Sequence, residues 1–390
     1  MERIRVAVVG AGPAGLQAST ALAEKGYSPL VFEEHPVIGQ PIQCGEGISY
    51  NALKEFSLLQ ERNQFCVREY EDCKLFIPHE NLIMGDIHSF TINRDAFDQC
   101  LERKAIDSGA IIKTSTKVTD VQKKSDGYLL RTSGEKQKEY LCDILILAEG
   151  PNGYLARNLG FNVPSPLIKA FEYKIKGEWG ETLEFYFNSE KYPYGYCWIF
   201  PKEDQTNVGI VTTAPERKKR LDNFLKEKGI TDNVLKKIGG SIPMNGPLTK
   251  IYDKNVLLAG DTAGMVNPIF YGGIRLAMIS GRSAGRVATK NLKRMELGDD
   301  LDFQEYKDDL KKYPFMKKIN LKCHNYFYGS SNDFLNKIGQ VFDGKYINRI
   351  KRRQVGDIIW KIVKKPTLYT KLRILYNLYV GFLIARDWGF

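Results

Sequence analysis

The sequence predicts a mixed α/β protein (α+β overall) with a Rossmann-like domain, an antiparallel β-sheet and a helical C-terminal region. Three observations support this class. A strand-like apolar run at 4–9 leads into a glycine-rich turn and a helix of small residues. Aromatic residues occupy alternate positions at 196–200, which is the two-residue period of a β-strand. Helix signals begin again at Gln354 and continue along the C-terminal segment.

Length and composition fit a globular protein of more than one domain. The chain has 390 residues, of which 43% are hydrophobic and 26% are charged. A chain of this length buries a large core and is expected to divide into two or three domains. The composition is ordinary for folded proteins, so disorder is not expected.

Neither end of the sequence has the pattern of a secreted or membrane-spanning protein. The N-terminus begins directly with the first strand and lacks the long apolar stretch and cleavage site of a secretory signal. The apolar stretch at 375–385 is too short to cross a bilayer and contains Asn377. We therefore expect a cytoplasmic protein with no transmembrane segment and no signal peptide.

Cysteine and histidine spacing argues against a metal site. The seven cysteines form no CxxC pair, and the four histidines form no HExxH motif. An odd number of cysteines also argues against a complete disulfide framework. The sequence therefore predicts no metal cofactor.

The glycine-rich turn predicts a dinucleotide site. Gly10 permits the tight turn, Gly12 lets backbone approach a pyrophosphate, and Gly15 lets the helix pack close to the strand. The helix N-terminus then offers its unpaired N–H groups to the phosphates. A second strand ends in Glu33, eighteen residues after Gly15, where a carboxylate can accept hydrogen bonds from a ribose.

A second turn downstream suggests which dinucleotide is bound. The apolar run at 256–259 ends in Gly260 and Asp261, and an Asp at this place can bond a ribityl hydroxyl. A strand followed by an Asp helix cap would have the same pattern. Between the two turns, Arg94 opens a helix, and a further buried strand ends in Glu149.

This order of elements resembles the FAD-containing fold of glutathione-reductase type in the aromatic hydroxylase superfamily. The resemblance implies a Rossmann-like FAD-binding domain. The chain departs from the superfamily pattern at Glu149, where an Asp is usual and is linked to FAD and NAD(P)H binding. Direct use of a nicotinamide is therefore left open.

The aromatic stretch is similar to the signature of the geranylgeranyl reductase family, Pro-x-x-Tyr-x-Trp-x-Phe-Pro. It is matched in full by Pro193, Tyr196, Trp198, Phe200 and Pro201. The segments 43–47 and 267–274 also resemble that family, which includes archaeal digeranylgeranylglycerophospholipid reductases. The positions that match the family's FAD contacts are Ala14, Glu33, Cys44, Gly45, Gly47, Arg94, Val118, Asp261, Gly273 and Ile274.

The resemblance implies saturation of the C=C bonds of geranylgeranyl chains by hydride from reduced flavin plus a proton. Digeranylgeranylglycerol phospholipids are the expected substrate. Tyr196, Trp198 and Phe200 are predicted to bind the prenyl chain and to stabilise positive charge with their ring faces. A sheet that buries one apolar face would show the same alternation, so a core role stays open.

Cys44 is the predicted catalytic residue, as an acid or redox thiol beside the flavin. The alternative interpretation is that Cys44 is only a small residue that fits beside the cofactor. Two other functions also stay open: a flavin monooxygenase of the same fold, and a flavoprotein-like scaffold without chemistry.

The predicted partners follow from charge and from what the sequence lacks. Ten Lys or Arg residues and one acid, Asp357, lie between Lys345 and Arg373. A helix over 354–364 and a second from Pro366 would give this segment a cationic flank. Such a flank suits peripheral contact with the anionic inner face of the cell membrane. No nucleic-acid motif accompanies it, so nucleic acid is not predicted. The residues expected on one side of the second helix are Leu368, Leu372, Leu375, Tyr376, Tyr379 and Phe382.

With no second Rossmann fingerprint, electrons are expected from an external low-potential donor. Reduced ferredoxin, a deazaflavin coenzyme and NAD(P)H are the candidates. The predicted domains are a discontinuous FAD-binding domain (1–70, 88–162 and 253–295), an antiparallel β-sheet substrate domain (71–87 and 163–252) and a helical basic C-terminal region (296–390).

Overall fold

A computed structural model of the chain describes residues 1–79, 81–134, 137–230, 233–347 and 349–388. The chain divides into two compact units. The first comprises Met1–Ile42, Arg94–Leu167 and Ile242–Lys317. The second comprises Gln43–Asn93, Ile168–Ser241 and Lys318–Phe390.

Both units contain strands and helices. The strands, numbered in chain order, are β1 Glu2–Val9, β2 Leu30–Phe32, β3 Gly47–Ser49, β4 Cys66–Ile77, β5 Asn81–Ile92, β6 Ile111–Lys113, β7 Lys117–Lys124, β8 Gly127–Ser133, β9 Lys138–Leu147, β10 Leu167–Lys176, β11 Leu183–Phe187, β12 Tyr196–Pro201, β13 Gln205–Thr212, β14 Val234–Pro243, β15 Tyr252–Asp253, β16 Val256–Leu258 and β17 Lys345–Tyr346. The helices are α1 Pro13–Ala23, α2 Tyr50–Glu55, α3 Arg94–Ser108, α4 Tyr154–Asn158, α5 Arg217–Glu227, α6 Ile274–Leu297, α7 Gln304–Lys311, α8 Ile319–Tyr328, α9 Asn332–Phe342, α10 Arg352–Val363, α11 Pro366–Tyr369 and α12 Leu372–Trp388.

The first unit is built on a sheet with a parallel centre. Its strand order is β15-β16-β9-β1-β2-β6, and β8 and β7 extend it from β9. The strands β16, β9, β1, β2 and β6 pair parallel with one another in this order. The outer strands pair antiparallel: β15 with β16, β8 with β9, and β7 with β8. Residues 140–147 of β9 are all buried, as expected for a central parallel strand covered on both faces. This is the predicted Rossmann-like arrangement.

The second unit is built on a larger and mainly antiparallel sheet. Its order is β14-β10-β13-β12-β11-β4-β5-β17, with β3 paired to β5. The strands β10, β13, β12 and β11 pair antiparallel, as the alternating sequences of these segments predict. Two pairs differ from the prediction, because β11 runs parallel to β4 and β17 runs parallel to β5.

The strand β12 is buried on both faces. Cys197 and Ile199 lie in an apolar cluster with Tyr173 and Val208, and this cluster packs against Phe224 of α5. The residues between them on β12 project from the opposite side of the sheet. Both faces of this strand are therefore packed, one through Cys197 and Ile199 and the other through Tyr196, Trp198 and Phe200.

The C-terminal helices differ from the single-sided helix predicted from the sequence. The chain breaks between α11 and α12, so a helical period read continuously from Pro366 loses its register. Leu368 is buried, whereas Leu372 and Tyr376 are 50% and 64% exposed. The prediction that all six residues share one side is therefore wrong.

The compact units have boundaries that differ from the predicted domains. Residues 43–70 and 88–93 belong to the second unit, although the sequence grouped them with the first. The segment 296–317 belongs to the first unit, and the remainder of the C-terminal region belongs to the second. Residue 390, where the predicted C-terminal region ends, lies outside the described residues. The functional roles assigned to these segments stay predictions.

Candidate active site

Within the first unit, two helix N-termini and two turns meet. Gly12 is the N-cap residue of α1 and Gly273 is the N-cap residue of α6. Neither glycine has a side chain that could bond the first N–H groups of its helix. A Cβ built on Gly260 would lie 2.9 Å from the Cβ of Ala14, so the second turn packs on the first turn of α1. A Cβ built on Gly273 would lie 3.4 Å from Asp261 Oδ1. The structure thus brings both sequence motifs together.

Charged residues surround this meeting point. The Glu33 carboxylate accepts the backbone N–H of Ala11 at 2.9 Å, which holds it against the glycine turn. Burial raises the pKa of Asp261 to about 6, and the charge of Arg94 acts in the opposite direction. Arg94 also donates to Asp98 at 2.9 Å.

The remaining predicted residues of this unit are also located. Val118 lies buried in β7, and Ile274 is the first residue of α6. Gly10 has a φ of +95°, which only glycine adopts readily in a turn. Unpaired N–H groups at a helix N-terminus suit a phosphate and a carboxylate suits a ribose hydroxyl, so the chemistry of these residues fits FAD.

Glu149 has a structural partner in the first unit. Its carboxylate accepts the backbone N–H groups of Leu155 and Ala156, each at 2.8 Å, at the start of α4. The side chain of Glu149, which is longer than that of Asp, therefore caps this short helix although Glu149 is not adjacent to it in the sequence. Burial raises the pKa of Glu149, and the hydrogen bonds from the helix act against that shift.

In the second unit, the signature residues of β12 form a row that we call the aromatic face: Tyr196, Trp198 and Phe200. Their side chains are buried, and the ring centroids of neighbours lie 6.0 and 6.3 Å apart. Phe185 of β11 packs edge-on against two of them, at 5.5 Å from Tyr196 and 5.2 Å from Phe200. The face opposite Cys197 and Ile199 is thus also apolar and buried.

A glycine on the neighbouring strand positions the central ring. Gly209 pairs with Trp198 on one side and with Glu172 on the other. A Cβ built on Gly209 would lie 2.1 Å from the Trp198 ring, so the indole lies across this strand. It reaches Glu172 and donates its Nε1–H to Oε2 at 3.1 Å.

Next to the aromatic face is a buried charge cluster: Glu46, Lys174, Lys202 and Asn207. The Oε2 of Glu46 accepts from Lys174 Nζ at 2.6 Å, from Lys202 Nζ at 3.2 Å and from Asn207 Nδ2 at 2.7 Å. Glu46 is fully buried and Lys202 is 1% exposed. Burial would raise the pKa of Glu46, but the charges of the two lysines outweigh it and hold the pKa below its usual range.

This cluster anchors the loop that contains the predicted flavin contacts Cys44, Gly45 and Gly47. Asn207 also donates to the carbonyl of Gly45 at 3.2 Å, and the backbone N–H of Glu46 donates to Cys44 Sγ at 3.2 Å. A Cβ built on Gly45 would lie 3.5 Å from Trp198 Nε1. The loop backbone therefore packs directly on the aromatic face.

An apolar cavity lies near one end of the aromatic face. Phe187 contacts Tyr196 at 5.3 Å between ring centroids and Phe327 of α8 at 5.0 Å. Phe327 in turn lines the cavity. The other lining residues are Leu75, Ile77, Ile83, Leu335, Ile338, Val341, Phe342, Ile347, Ile362, Leu368, Leu375, Leu378, Tyr379 and Phe382.

Sequence reasoning missed Glu46, Glu172, Lys174 and Lys202. Glu172 and Lys174 alternate with apolar residues along β10, which is the pattern of a strand with one solvated face. The cluster is assembled from separate segments of the chain, so local spacing contains no sign of it. The only available signal was Glu46 between two glycines in a motif already singled out.

Comparison with known proteins supports this picture. The sequence-family model of the geranylgeranyl reductase catalytic domain matches residues 169–242, which include the aromatic face. A model of an NAD(P)-binding Rossmann-like domain matches residues 8–45. Digeranylgeranylglycerophospholipid reductase 1 of Methanosphaera stadtmanae is 31% identical, and the match covers 95% of this chain and 96% of that protein. The chain belongs to the digeranylgeranylglycerophospholipid reductase family.

A second member of the family, the reductase of Methanocaldococcus jannaschii, is 30% identical, with 93% of this chain and 96% of that protein covered. A solved structure described as geranylgeranyl bacteriochlorophyll reductase-like, from Thermoplasma acidophilum, has a TM-score of 0.83 and 25% identity. That match covers 96% of this chain and 100% of the other chain. Family membership confirms the predicted resemblance, the fold class and the assignment as an oxidoreductase.

Proposed function

We propose that this chain uses FAD to saturate the C=C bonds of geranylgeranyl chains, with digeranylgeranylglycerol phospholipids as substrate. The observation that carries the proposal is the aromatic face. The three rings form a buried row beside the predicted flavin loop, on the side of β12 opposite Cys197 and Ile199. The names of the relatives support the choice of substrate.

The residues proposed to hold FAD include those that meet in the first unit, and Cys44, Gly45 and Gly47 are added from the family resemblance. Reduced FAD, when bound, supplies a hydride. Gly12 and the N-terminus of α1 would bind the pyrophosphate, Glu33 the ribose, and Asp261 the ribityl chain. The full proposed set is Gly10, Gly12, Ala14, Gly15, Glu33, Cys44, Gly45, Gly47, Arg94, Val118, Asp261, Gly273 and Ile274.

The aromatic face suits both the binding and the chemistry of a prenyl chain. An isolated alkene carries no polarising group, so positive charge builds on the tertiary carbon as it is reduced. Ring faces stabilise a nearby cation by up to about 2 kcal/mol in a dry site. Apolar burial contributes about 0.8 kcal/mol for each CH₂ group. Ring contacts through Phe187 and Phe327 link the aromatic face to the residues that line the apolar cavity.

Cys44 is retained as a proposed acid or redox thiol beside the cofactor. Its sulfur accepts a hydrogen bond from Glu46 N–H, which orients the side chain within the loop. The electron donor is proposed to be an external low-potential carrier. Glu149 supports this, because its carboxylate is engaged in capping α4.

Product mass tests the proposed function. Protein loaded with FAD is incubated anaerobically with dithionite and a digeranylgeranylglycerol phospholipid. The mass of the lipid is then measured by mass spectrometry. We expect the addition of two hydrogens for each bond reduced, and slow flavin reduction when NADPH alone replaces dithionite. Rapid NADPH oxidation in air with a product that has gained oxygen would instead establish a monooxygenase. Unchanged lipid in both assays would leave a scaffold without chemistry.

Trp198→Leu separates a substrate role from core packing. Leucine keeps much of the apolar volume but removes the ring face, so turnover per bound FAD is expected to fall by about tenfold, whereas lipid binding changes less. The matched control is Ile199→Ala on the core face of the same strand. That variant should lower the free energy of unfolding by about 2–5 kcal/mol and leave turnover per FAD unchanged. Unchanged turnover in Trp198→Leu with a lowered melting temperature would assign Trp198 to the core.

The helix α10 supports the proposed membrane contact. Its inner residues Ile358 and Ile362 face the protein, while Val355, Ile359 and Val363 form an exposed apolar stripe one turn apart. No helix in the described ranges is both long and apolar enough to span a bilayer. An exposed apolar stripe in a segment rich in Lys and Arg suits the surface of an anionic membrane.

Vesicle binding tests this contact at Trp360, which is 56% exposed and lies under the ammonium group of Lys364. We expect Trp360→Ser to weaken sedimentation with vesicles containing anionic phospholipid by about tenfold, or about 1.4 kcal/mol. Leu235→Ser on β14, which removes an apolar side chain of 57% exposure, is the control and should bind normally. Equal binding by all three proteins would contradict membrane contact through α10.

A further inference from the structure

Glu172 is a buried carboxyl on the aromatic face with one oxygen unused. Its Oε2 accepts the Trp198 Nε1–H at 3.1 Å, and the side chain is 3% exposed. Among the residues that the structure describes, its Oε1 has no hydrogen-bond partner. Native proteins rarely leave such a buried group unpaired, so the unused oxygen points to a ligand or a reaction.

The surroundings keep Glu172 protonated at neutral pH. Burial raises its pKa to about 8, and the neighbouring carboxylate of Glu46 adds to that shift. The charges of Lys174 and Lys202 and the hydrogen bond from the Trp198 N–H lower the pKa of Glu172. The ammonium groups of both lysines, however, donate hydrogen bonds to Glu46. From the adjacent strand β13 the facing residues are Gly209 and the neutral Asn207. A carboxylic acid in this state can donate a proton, and an acid with a pKa near the working pH is the most effective.

We propose that Glu172 is the acid that delivers the proton to the alkene carbon. The inference rests on the proposed function. It follows from the position of the carboxyl, which shares the aromatic face with Trp198 and lies against the loop predicted to contact the flavin. A Cβ built on Gly45 would be 3.7 Å from Glu172 Oε2 and 3.5 Å from Phe200. A carbocation that forms over these rings would have the acid beside it.

The step balances with the groups already named. The alkene gains a hydride, which carries two electrons, from reduced FAD, and a proton from the Oε1–H of Glu172. The alkene π bond, the O–H bond of Glu172 and the N–H bond of reduced FAD that supplies the hydride would break, and two C–H bonds would form. The alkene is reduced by two electrons and the flavin is oxidised by two. Glu172 is left as a carboxylate, which takes a proton from solvent before the next turnover.

Glu172→Gln tests the role without removing the hydrogen bond from Trp198, because the amide oxygen of glutamine can still accept it. In the anaerobic lipid assay, we expect wild-type turnover to fall as pH rises through about 8, where Glu172 ionises. We expect Glu172→Gln to lose at least about a hundredfold in turnover per bound FAD, which is the lower range for a general acid. The residual rate should lose the fall above pH 8.

Trp198→Phe is the second variant, and it moves the pH profile in a direction that a packing role would not. It keeps an aromatic ring but removes the N–H that stabilises the Glu172 carboxylate, so the pKa of Glu172 rises further. We therefore expect the fall in turnover to shift to higher pH. Indole fluorescence of the flavin-free protein gives a readout independent of activity. Wild-type emission should titrate near pH 8, and this titration should be absent in Glu172→Gln.

Three outcomes are informative. Loss of turnover and of the fluorescence titration in Glu172→Gln, with normal FAD content, supports the proposal. Wild-type turnover and an unchanged pH profile in Glu172→Gln, with loss of both in Cys44→Ser, would make Cys44 the acid and overturn the proposal. Wild-type protein that leaves the lipid unreduced would contradict the proposed function itself, and the fluorescence titration would then still report the protonation of Glu172.

Discussion

Gly12→Val protein is expected to fold normally and to purify without the yellow colour of bound FAD. A Cβ built on Gly12 meets no atom within 4 Å, and its φ of −76° and ψ of −177° are accessible to valine. The Cβ of the new side chain therefore disturbs no protein contact. It would fill the space beside the N-terminus of α1 that we assign to the pyrophosphate. We expect FAD binding to weaken by about a hundredfold or more, which corresponds to about 3 kcal/mol.

The neighbouring glycine shows why the choice of position matters. A Cβ built on Gly15 would lie 1.9 Å from the carbonyl oxygen of Gly10, so Gly15→Ala disrupts the packing of α1 on β1 whether or not a cofactor binds. Flavin loss in that variant would be uninformative. Gly239→Val is a suitable control, because the nearest atom to its Cβ is 3.9 Å away and the residue is outside the proposed FAD set.

The measurement is the ratio of flavin absorbance to protein, together with the melting temperature of the flavin-free form. Gly239→Val should keep the wild-type ratio. Full flavin absorbance in Gly12→Val would mean that the phosphates lie elsewhere, and the assignment of the glycine fingerprint would then be wrong.

The first unit could be predicted in detail because its signals are local. The apolar run of β9, the glycine turn before α1 and the Gly260–Asp261 turn each occupy fewer than a dozen consecutive residues. Each has a direct physical cause in strand burial, backbone conformation or helix capping.

The second unit was less predictable because its important contacts are not local. The alternation on β12 predicted a strand with three rings on one side. It did not show that the other side is also buried, or that Gly209 lets Trp198 reach Glu172. Charged residues on β10 have the same sequence pattern whether they face water or a buried cluster. Only the pairing of strands that are distant in sequence distinguishes the two cases.

The C-terminal segment shows a third kind of error. Helix content there was predicted correctly, but the faces were not, because the break after Tyr369 resets the period. The break turns Leu372 and Tyr376 outward and leaves Leu378, which the pattern omitted, in the cavity lining. Leu368, Leu375, Tyr379 and Phe382 still line one cavity, so only Leu372 and Tyr376 depart from the predicted side.

The largest expected effect on stability is that of Glu46→Gln. Glutamine matches the shape of the side chain, so no cavity forms, but the carboxylate between Lys174 and Lys202 is lost. Lys202 is almost completely buried, and its other hydrogen bonds are to the carbonyl of Ile92 and the side chain of Asn93. Removing one partner of a buried ion pair typically lowers the free energy of unfolding by about 3–5 kcal/mol.

The dependence on pH distinguishes this charge effect from simple packing. The folded-state pKa of Glu46 is below its unfolded value, so its contribution to stability is present above the unfolded pKa of about 4.3 and is lost as pH falls through the folded pKa. The difference between wild type and Glu46→Gln should therefore be largest near pH 7 and shrink below about pH 4. A packing defect would persist at both pH values.

A double variant completes the test. Lys174→Met in the Glu46→Gln background removes one of the two uncompensated ammonium groups and should restore part of the lost stability, whereas Lys174→Met alone should be destabilising. Urea unfolding of the four proteins at pH 7 gives the coupling free energy directly. Because Glu46 lies between Gly45 and Gly47, its loss should also free the loop that packs on Trp198, and FAD content should fall with stability. Simple additivity of the two substitutions, with Glu46→Gln as stable as wild type, would show that the cluster neither holds the loop nor stabilises the fold.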